Sequence, residues 1–194
     1  LADGYFVLPY TISNYLADDI RTGEISTEHA EFEQAEKNVK DRLDFFINNK
    51  GTKTVDYFHK KLGKVMWEKC GMARNKKGLE EAIVEIKSIR DEFWKEVKIP
   101  GVQHSFNQEL DKAGRVADFI ELGDLMCHDA LSREESCGGH FREEHRTEEG
   151  EALRNDEDYA YVAAWKYKGE NETPELHKED LKFENIELKQ RSYK

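Results

Sequence analysis

Apolar residues recur at steps of three and four over most of the chain, which is the spacing of one face of an α-helix. Four such stripes follow one another, and short polar turns separate them. The stripes are Phe32, Ala35, Val39, Leu43 and Phe46; Val55, Phe58, Leu62, Val65 and Met66; Leu79, Ala82, Ile83, Ile86, Ile89, Phe93 and Val97; and Leu110, Ala113, Ala117, Ile120, Cys127 and Leu131. Amphipathic helices bury their stripes against one another. The pattern therefore predicts a mainly α fold, an antiparallel helical bundle of three to four long helices.

Residues that favour helix ends stand at the borders of these stripes. Ser26–Thr27, Thr54 and Asn107 have side chains that can accept hydrogen bonds from the first free N–H groups of a helix. Gly71 suits the end of the second helix, and Pro100–Gly101 should stop the third. These residues predict where the four helices begin and end.

The two ends of the chain follow other patterns. Leu1–Ile20 is the most apolar segment, and Pro9 should break or kink a straight helix there. We interpret this segment as the tail of an element whose beginning is missing; the alternative is an N-terminal helix that packs on the bundle. After about Gly138 the stripes stop. Residues 159–167 favour a strand and residues 181–188 alternate between apolar and polar. We therefore expect an extended or short β C-terminal tail that lies on the bundle.

The composition narrows the classes of function that we expect for this protein. Charged residues make up 37% of the chain and hydrophobic residues 38%, with 3 Pro, which suits a helical protein. The formal net charge is −11, and Lys and Arg are interleaved with Asp and Glu, so we expect no nucleic-acid partner. No apolar run approaches the roughly 20 residues that span a bilayer, and the first residues lack the pattern of a signal peptide. The 3 Cys are simplest to interpret as reduced cytosolic thiols.

The stretch SREESCGGHFREEH, residues 132–145, contains most of the residues that could bind a metal or act in catalysis. Possible zinc ligands in and beside it are Cys127, His128, Cys137, His140 and His145. Their spacing fits no common site, so we expect no metal there. Ser132, Ser136, Cys137 and His140 could supply a nucleophile and a base, but the glycine pattern of a nucleophile elbow is not present. The sequence also contains no Gly-rich dinucleotide or triphosphate motif.

A structural joint suits these residues better. The last helix is expected to continue through Ser132–Ser136 and to exit sharply at Gly138–Gly139. Arg133 and Arg142 can each form a two-pronged hydrogen bond to a carboxylate, and Glu135 can pair with an arginine across an interface. The alternative for the neighbouring Glu143 and Glu144 is a solvated face.

Four segments, in order along the chain, resemble one family. SREESCGGHFREEH resembles the signature Ser-Arg-x-Glu-Ser-Arg-Gly-x-His-x-Arg of the flavoprotein subunits of succinate dehydrogenase and fumarate reductase. RNDEDYAYVAAW, the terminal QRSYK and the opening LADGYFVLPYTISNYLA are similar to further segments of that family. One position departs, because Cys137 stands where the family usually has Arg. L-Aspartate oxidase carries a similar signature.

The resemblance implies the C-terminal helical part of a bacterial FAD-dependent subunit. Residues 1–22 would be the closing helix of the upstream flavin-binding domain, 23–137 the helical bundle, and 138–194 the extended tail. The parent would interconvert succinate and fumarate and pass electrons to an iron–sulfur subunit and a quinone. It would lie on the cytoplasmic face of the inner membrane and contact the membrane anchor subunit only indirectly. The alternatives are an L-aspartate oxidase-type flavoprotein and a stand-alone helical interaction module.

The resemblance places no catalytic, cofactor-binding or metal residue in this chain, so FAD would be bound by the full-length subunit alone. The signature residues that it marks for domain docking are Ser132, Arg133, Glu135, Ser136, Gly138, His140 and Arg142. We expect the side chains of Ser132, Arg133, Glu135, His140 and Arg142 to be partly exposed or rearranged in this chain, where a neighbouring domain would cover them. Substituting Arg133 or Arg142 by alanine should then cost only about 0–1 kcal/mol.

Overall fold

The computed structural model describes residues 1–101, 106–169 and 172–189. Its contacts divide the chain into two compact units, Leu1–Arg42 and Leu43–Lys194, which are considered one at a time below. The α-helices are α1 (Leu8–Tyr10), α2 (Ala17–Ile20), α3 (Ala30–Asn48), α4 (Val55–Lys69), α5 (Lys76–Glu96), α6 (Gln108–Ser132) and α7 (Asp156–Tyr159), and the strands are β1 (Tyr161–Lys166) and β2 (Glu175–Asp180). The predicted mainly α fold is confirmed.

The first unit consists of short helical turns and the first part of α3. Two π-type turns, Asp3–Val7 and Thr11–Tyr15, flank α1, so the hydrogen-bond pattern changes on both sides of Pro9. Pro9 has no N–H to donate to the preceding turn, and it lies between these two π-type turns of one helical run. Apart from half-buried Leu16, the large apolar side chains of residues 1–20 are exposed.

Burial along α3 differs from the prediction. Phe32 is 49% exposed and Val39 is 59% exposed, whereas Phe46 is fully buried. The stripe was expected to be buried along its whole length, and this is wrong for its first half. Phe46 is buried because the rings of Phe93 and Trp94 lie against it, at centroid distances of 5.9 and 5.5 Å. Helical periodicity identifies an apolar face but does not identify what covers it.

In the second unit, α4, α5 and α6 pack together around one apolar core. Two predicted caps are confirmed: Thr54 Oγ1 accepts a hydrogen bond from the Tyr57 N–H at 3.3 Å, and Asn107 Oδ1 accepts from the Leu110 N–H at 3.2 Å. α5 ends at Glu96, before the predicted stop at Pro100–Gly101. The chain leaves the helix early because buried Val97 is extended and pairs with the backbone at Lys53.

An ion-pair cluster joins α5 to α6. Arg90, which is 5% exposed, donates from Nε and Nη2 to the two carboxylate oxygens of Glu121, at 2.6 and 3.1 Å. Its Nη2 also donates to Asp124 at 3.3 Å. Burial opposes the charge, but the two carboxylates raise the pKa of Arg90 above its ordinary value. These ion pairs fix the position of α5 along the axis of α6.

The tail contains a two-stranded antiparallel sheet. Tyr161 of β1 pairs with Asp180 of β2, and Trp165 pairs with Leu176. The indole N–H of Trp165 donates to Asp129 Oδ1 at 2.7 Å, which attaches the sheet to α6. A strand within 159–167 is confirmed, but the second strand is Glu175–Asp180 rather than the predicted 181–188. Residues 181–188 are irregular and exposed, so their apolar alternation does not mark a strand.

Across the described residues, no helix combines the length and the apolar character that crossing a membrane would require.

Candidate functional site

The corner formed by residues 132–145 begins where α6 ends. The helix stops at Ser132, earlier than predicted, and Arg133 leaves it in an extended conformation. A tight turn follows, in which the Cys137 N–H donates to the His140 carbonyl at 2.8 Å and the His140 N–H donates back to the Cys137 carbonyl at 3.0 Å. Gly138 has φ +59°, a value that favours glycine. The glycine turn is therefore present, but it lies one short extended segment beyond the helix end.

Arg142 is the central side chain of the corner, and it is only 1% exposed. Its Nη1 donates to the carbonyls of Ala130, Leu131 and Arg133, at 2.9, 3.3 and 3.4 Å. These carbonyls belong to the last turn and cap of α6, where no further helical N–H is available to pair with them. A guanidinium there also interacts favourably with the negative end of the helix dipole. Arg142 is thus a side-chain cap for the carboxyl end of α6.

Ser136 and Glu135 are also buried, with exposures of 0% and 2%. The Arg142 N–H donates to Ser136 Oγ at 2.8 Å, and the Ser136 hydroxyl donates to the Arg142 carbonyl at 3.2 Å. The Glu135 carboxylate accepts from Arg133 Nη1 at 2.8 Å and from the Asn155 N–H at 2.9 Å. Each buried polar side chain therefore has partners inside the chain.

Arg133 connects the corner to β1. Its Nη2 donates to the Tyr161 carbonyl at 3.2 Å, and its guanidinium lies 5.0 Å from the centroid of the Tyr161 ring. The Tyr159 ring lies 5.8 Å away. A cation over aromatic faces is stabilised by the ring quadrupoles.

His140 bridges the corner to the segment before α5. The ring Nε2–H donates to the Arg133 carbonyl at 2.9 Å, so Nδ1 is free to accept from Arg74 Nη1 at 3.0 Å. Burial lowers the pKa of His140, and the positive charges of Arg74, Arg142 and Arg133 lower it further, against the effect of the backbone hydrogen bond. His140 is accordingly held in its neutral form.

Glu143 and Glu144 bind the amino end of α5. Glu143 accepts from the Asn75 side-chain amide at 2.8 Å, and Glu144 accepts from the Lys76 N–H at 2.5 Å. Carboxylates at a helix N-terminus are stabilised by the helix dipole. Burial alone would raise the pKa of Glu144, but the backbone hydrogen bonds from Lys76 and from Glu144 itself, together with Arg142, lower it. Both residues are exposed, as a solvated face would be, and each also accepts a hydrogen bond at the start of α5.

The structure corrects the expected exposure of the corner. Glu135 and Arg142 were expected to be partly exposed, but both are buried and paired within the chain. Arg133 and His140 are half-buried, and Ser132 and Gly138 are exposed. The cause is that the corner joins α6 to α5 and to β1, so its charged groups find partners in this chain.

Several partners in the corner were missed from the sequence. Arg74, Asn155 and Tyr161 are distant from the signature, and no local pattern marks them as its partners. Asn75 had a signal, because an Asn directly before an apolar-periodic run is a helix cap. Its Oδ1 accepts from the Gly78 N–H at 2.8 Å.

The candidate metal ligands are in different surroundings. Cys127 is fully buried in the bundle core, Cys137 is half-buried in the glycine turn, and both His140 nitrogens are hydrogen-bonded. Among residues 1–101, 106–169 and 172–189, no group of three or more His, Cys, Asp or Glu side chains could hold a metal ion. The terminal QRSYK segment lies outside the described residues.

The neutral His140 predicts a pH dependence of stability. Its folded-state pKa lies below the unfolded value of about 6.5, so the unfolded chain takes up the proton first as pH falls. The stabilisation from His140 should be complete above about pH 6.5 and decline below it. In urea unfolding at pH 8 and pH 5, the stability advantage of the wild type over His140→Gln should be smaller at pH 5.

Subtracting the variant removes the contributions of the other histidines. An advantage that grows as pH falls would mean that the folded state raises the His140 pKa, in contradiction to this geometry.

The fold and the corner together define a class of helical domain. In it, the signature segment 132–145 caps the end of α6 and connects α6 to α5 and to the small sheet. Residues 59–193, well over half of the chain, match the family described as the fumarate reductase flavoprotein C-terminal region. The chain belongs to this family.

Relatives agree with this assignment. The chain is 26% identical to the fumarate reductase flavoprotein subunit of Serratia sp. (strain ATCC 39006), over 93% of this chain and 31% of that protein. It is 27% identical to the corresponding subunit of Helicobacter pylori (strain 26695), over 91% of this chain and 24% of that protein. The chain thus spans about a third or less of the curated relatives that it matches.

A solved structure shows the same fold. A variant of Escherichia coli quinol fumarate reductase superposes with a TM-score of 0.72 at 23% identity, covering 86% of this chain and 27% of that one.

Proposed function

We propose that this chain is the architectural C-terminal domain of an FAD-dependent subunit that interconverts succinate and fumarate. The observation that carries the proposal is the family signature itself. Its Arg142, Ser136 and Glu135 are buried and paired within the chain, so these residues hold the domain together and are not available to bind a substrate. The chemistry of the parent would then lie in segments outside this chain.

FAD would be held by those other segments. A dinucleotide needs a glycine-rich turn at a helix N-terminus to receive its pyrophosphate, and the printed sequence contains no such motif. We therefore expect the purified 194-residue chain to show no flavin absorption and no succinate-dependent dye reduction. A stoichiometric flavin spectrum after gel filtration would contradict this expectation.

The partners follow from the proposed parent. Electrons would pass from the flavin to an iron–sulfur subunit and then to a quinone, and the subunit would sit on the cytoplasmic face of the inner membrane. It would reach the membrane through other subunits. The docking role that we proposed for the corner would fall to its exposed parts, Ser132 and Gly138, since its buried groups already have partners.

An activity assay tests the proposal and its rivals together. The complete gene product that contains this chain should be purified and assayed with fumarate plus a reduced viologen, with succinate plus a dye, and with L-aspartate plus oxygen. Fumarate- and succinate-dependent turnover with bound FAD supports the proposal. Aspartate-dependent turnover would establish the aspartate oxidase alternative, and a gene product without flavin would establish a stand-alone helical module.

A further inference from the structure

A cavity opens between α6 and the segment that contains the small sheet. Its volume is about 250 Å³, below the roughly 300–1,000 Å³ that is usual for sites that bind drug-sized ligands, so it suits a single long side chain. One wall comes from α6, and the other comes from β1 and the turn that follows it. The residues that line the cavity include Glu121, Leu122, Asp124, Trp165, Tyr167 and Glu172.

The sheet side of the cavity is aromatic, and a hydrogen bond holds it in place. The Trp165 indole N–H donates to Asp129 Oδ1 at 2.7 Å, which fixes the ring beside α6. Tyr167 follows two residues later and lines the same cavity. The Tyr167 side chain is 66% exposed, so its ring borders the opening to solvent.

The charged groups of the cavity are negative. Glu121, Asp124 and Glu172 supply three carboxylates, and no lysine or arginine is among the described residues that line it. Arg90 and Lys87 line a neighbouring cavity, from which Arg90 donates to Glu121 and Asp124 at 2.6 and 3.3 Å. Because each carboxylate oxygen can accept more than one hydrogen bond, these carboxylates keep the capacity to accept from a second cation.

An exposed apolar stripe on α6 leads to this cavity. Phe119, Leu122 and Met126 recur at steps of three and four, and they are 42%, 54% and 43% exposed. The core of the bundle does not use them, since Ala117 and Ile120 on the same helix are the buried residues. Leu122 belongs to both the stripe and the cavity. The apolar surface therefore extends beyond the cavity, along the helix, as a polypeptide segment would require.

We propose that the cavity binds an arginine side chain of a partner polypeptide, and that apolar residues beside this arginine cover the stripe on α6. A guanidinium is planar and weakly hydrated, so it can stack on an aromatic ring while it donates to carboxylates. Its aliphatic stem suits the apolar wall at Leu122. A lysine ammonium is a strongly hydrated point charge and fits such a mixed site less well. Arginine and aromatic side chains are also the residues that contribute most to binding in protein interfaces.

Two small compounds test the cavity itself. Acetyl-arginine amide and its neutral analogue acetyl-citrulline amide should be titrated into the chain while the tryptophan indole N–H signals are followed by NMR. The Trp165 signal, identified by its loss in Trp165→Phe, should shift saturably with the arginine compound and require at least about threefold more of the citrulline compound. Trp67 on α4 is 84% exposed and provides the internal control, because its signal should not move.

Variants at the opening of the cavity should weaken this binding. Tyr167→Ala and Glu172→Gln change exposed side chains, so the fold should be kept, and each should raise the dissociation constant about two- to fivefold. Glu80→Gln is the matched control, since Glu80 is an exposed carboxylate on α5 that does not line the cavity. It should leave the dissociation constant unchanged.

Two peptides test the stripe. Acetyl-Ala-Leu-Arg-Leu-Ala-amide should bind more tightly than acetyl-Ala-Ser-Arg-Ser-Ala-amide, and Phe119→Ser should reduce this difference. Equal binding of the two peptides would overturn the partner polypeptide in favour of a small organic cation. Equal titrations with arginine and citrulline amides, or no saturable shift of Trp165, would overturn the arginine site. These measurements use neither flavin nor succinate, so their outcome does not bear on the proposed function.

Discussion

Replacing Arg142 by alanine should lower the free energy of unfolding by about 3 kcal/mol or more. The substitution leaves the carbonyls of Ala130 and Leu131 without their side-chain donor, in a place that water does not reach freely. It also opens a cavity the size of a guanidinium beside the last turn of α6. Urea unfolding followed by circular dichroism measures the effect. The expectation from the sequence was a cost of about 0–1 kcal/mol for an exposed side chain, and the burial of Arg142 contradicts the exposure on which that figure was based.

Two further variants separate the causes. Arg115→Ala, on the exposed face of α6 where the side chain is 68% exposed, should cost less than about 1 kcal/mol. Arg142→Lys keeps the positive charge but loses the planar fork that reaches several carbonyls, so its stability should lie between wild type and Arg142→Ala. If Arg142→Ala is no more destabilising than Arg115→Ala, the cap does not support the domain.

The second large effect is expected for Phe93→Ala, at about 3–5 kcal/mol. Phe93 is fully buried, and its ring lies at centroid distances of 5.2 Å from Phe58, 5.9 Å from Phe46 and 5.4 Å from Trp94. Alanine removes the aromatic contacts and leaves a cavity where α3, α4 and α5 meet. The measurement is again the free energy of unfolding in urea.

Val84 provides the matched control on the same helix. It is 70% exposed, so Val84→Ala should change stability by about 0.5 kcal/mol or less. A loss of only about 1 kcal/mol for Phe93→Ala would mean that the aromatic cluster is not the centre of the core.

The fold was largely predictable where the determining interactions are local. The steps of three and four placed α4, α5 and α6, and the hydroxyl and amide side chains of Thr54 and Asn107 marked the beginnings of two helices correctly. The position of the second strand was not predictable, because the alternating residues from Leu181 onward are irregular while polar Glu175–Asp180 pairs with β1. Strand pairing depends on the side chains and backbone groups of the neighbouring strand. Alternation of apolar and polar residues in one segment does not show whether such a neighbour is present.

The sequence by itself determined the helical class of this protein, the position of its signature and the family to which that signature belongs, since these depend on residue types at fixed spacing. Only the tertiary structure decided that Arg142 points back to the end of α6, that His140 contacts Arg74, and that Trp165 binds Asp129. The physical reason is that a side chain's burial and partners are set by elements distant in the sequence. The packing of α4, α5 and α6 around one apolar core, and of the small sheet on α6, brings those elements together.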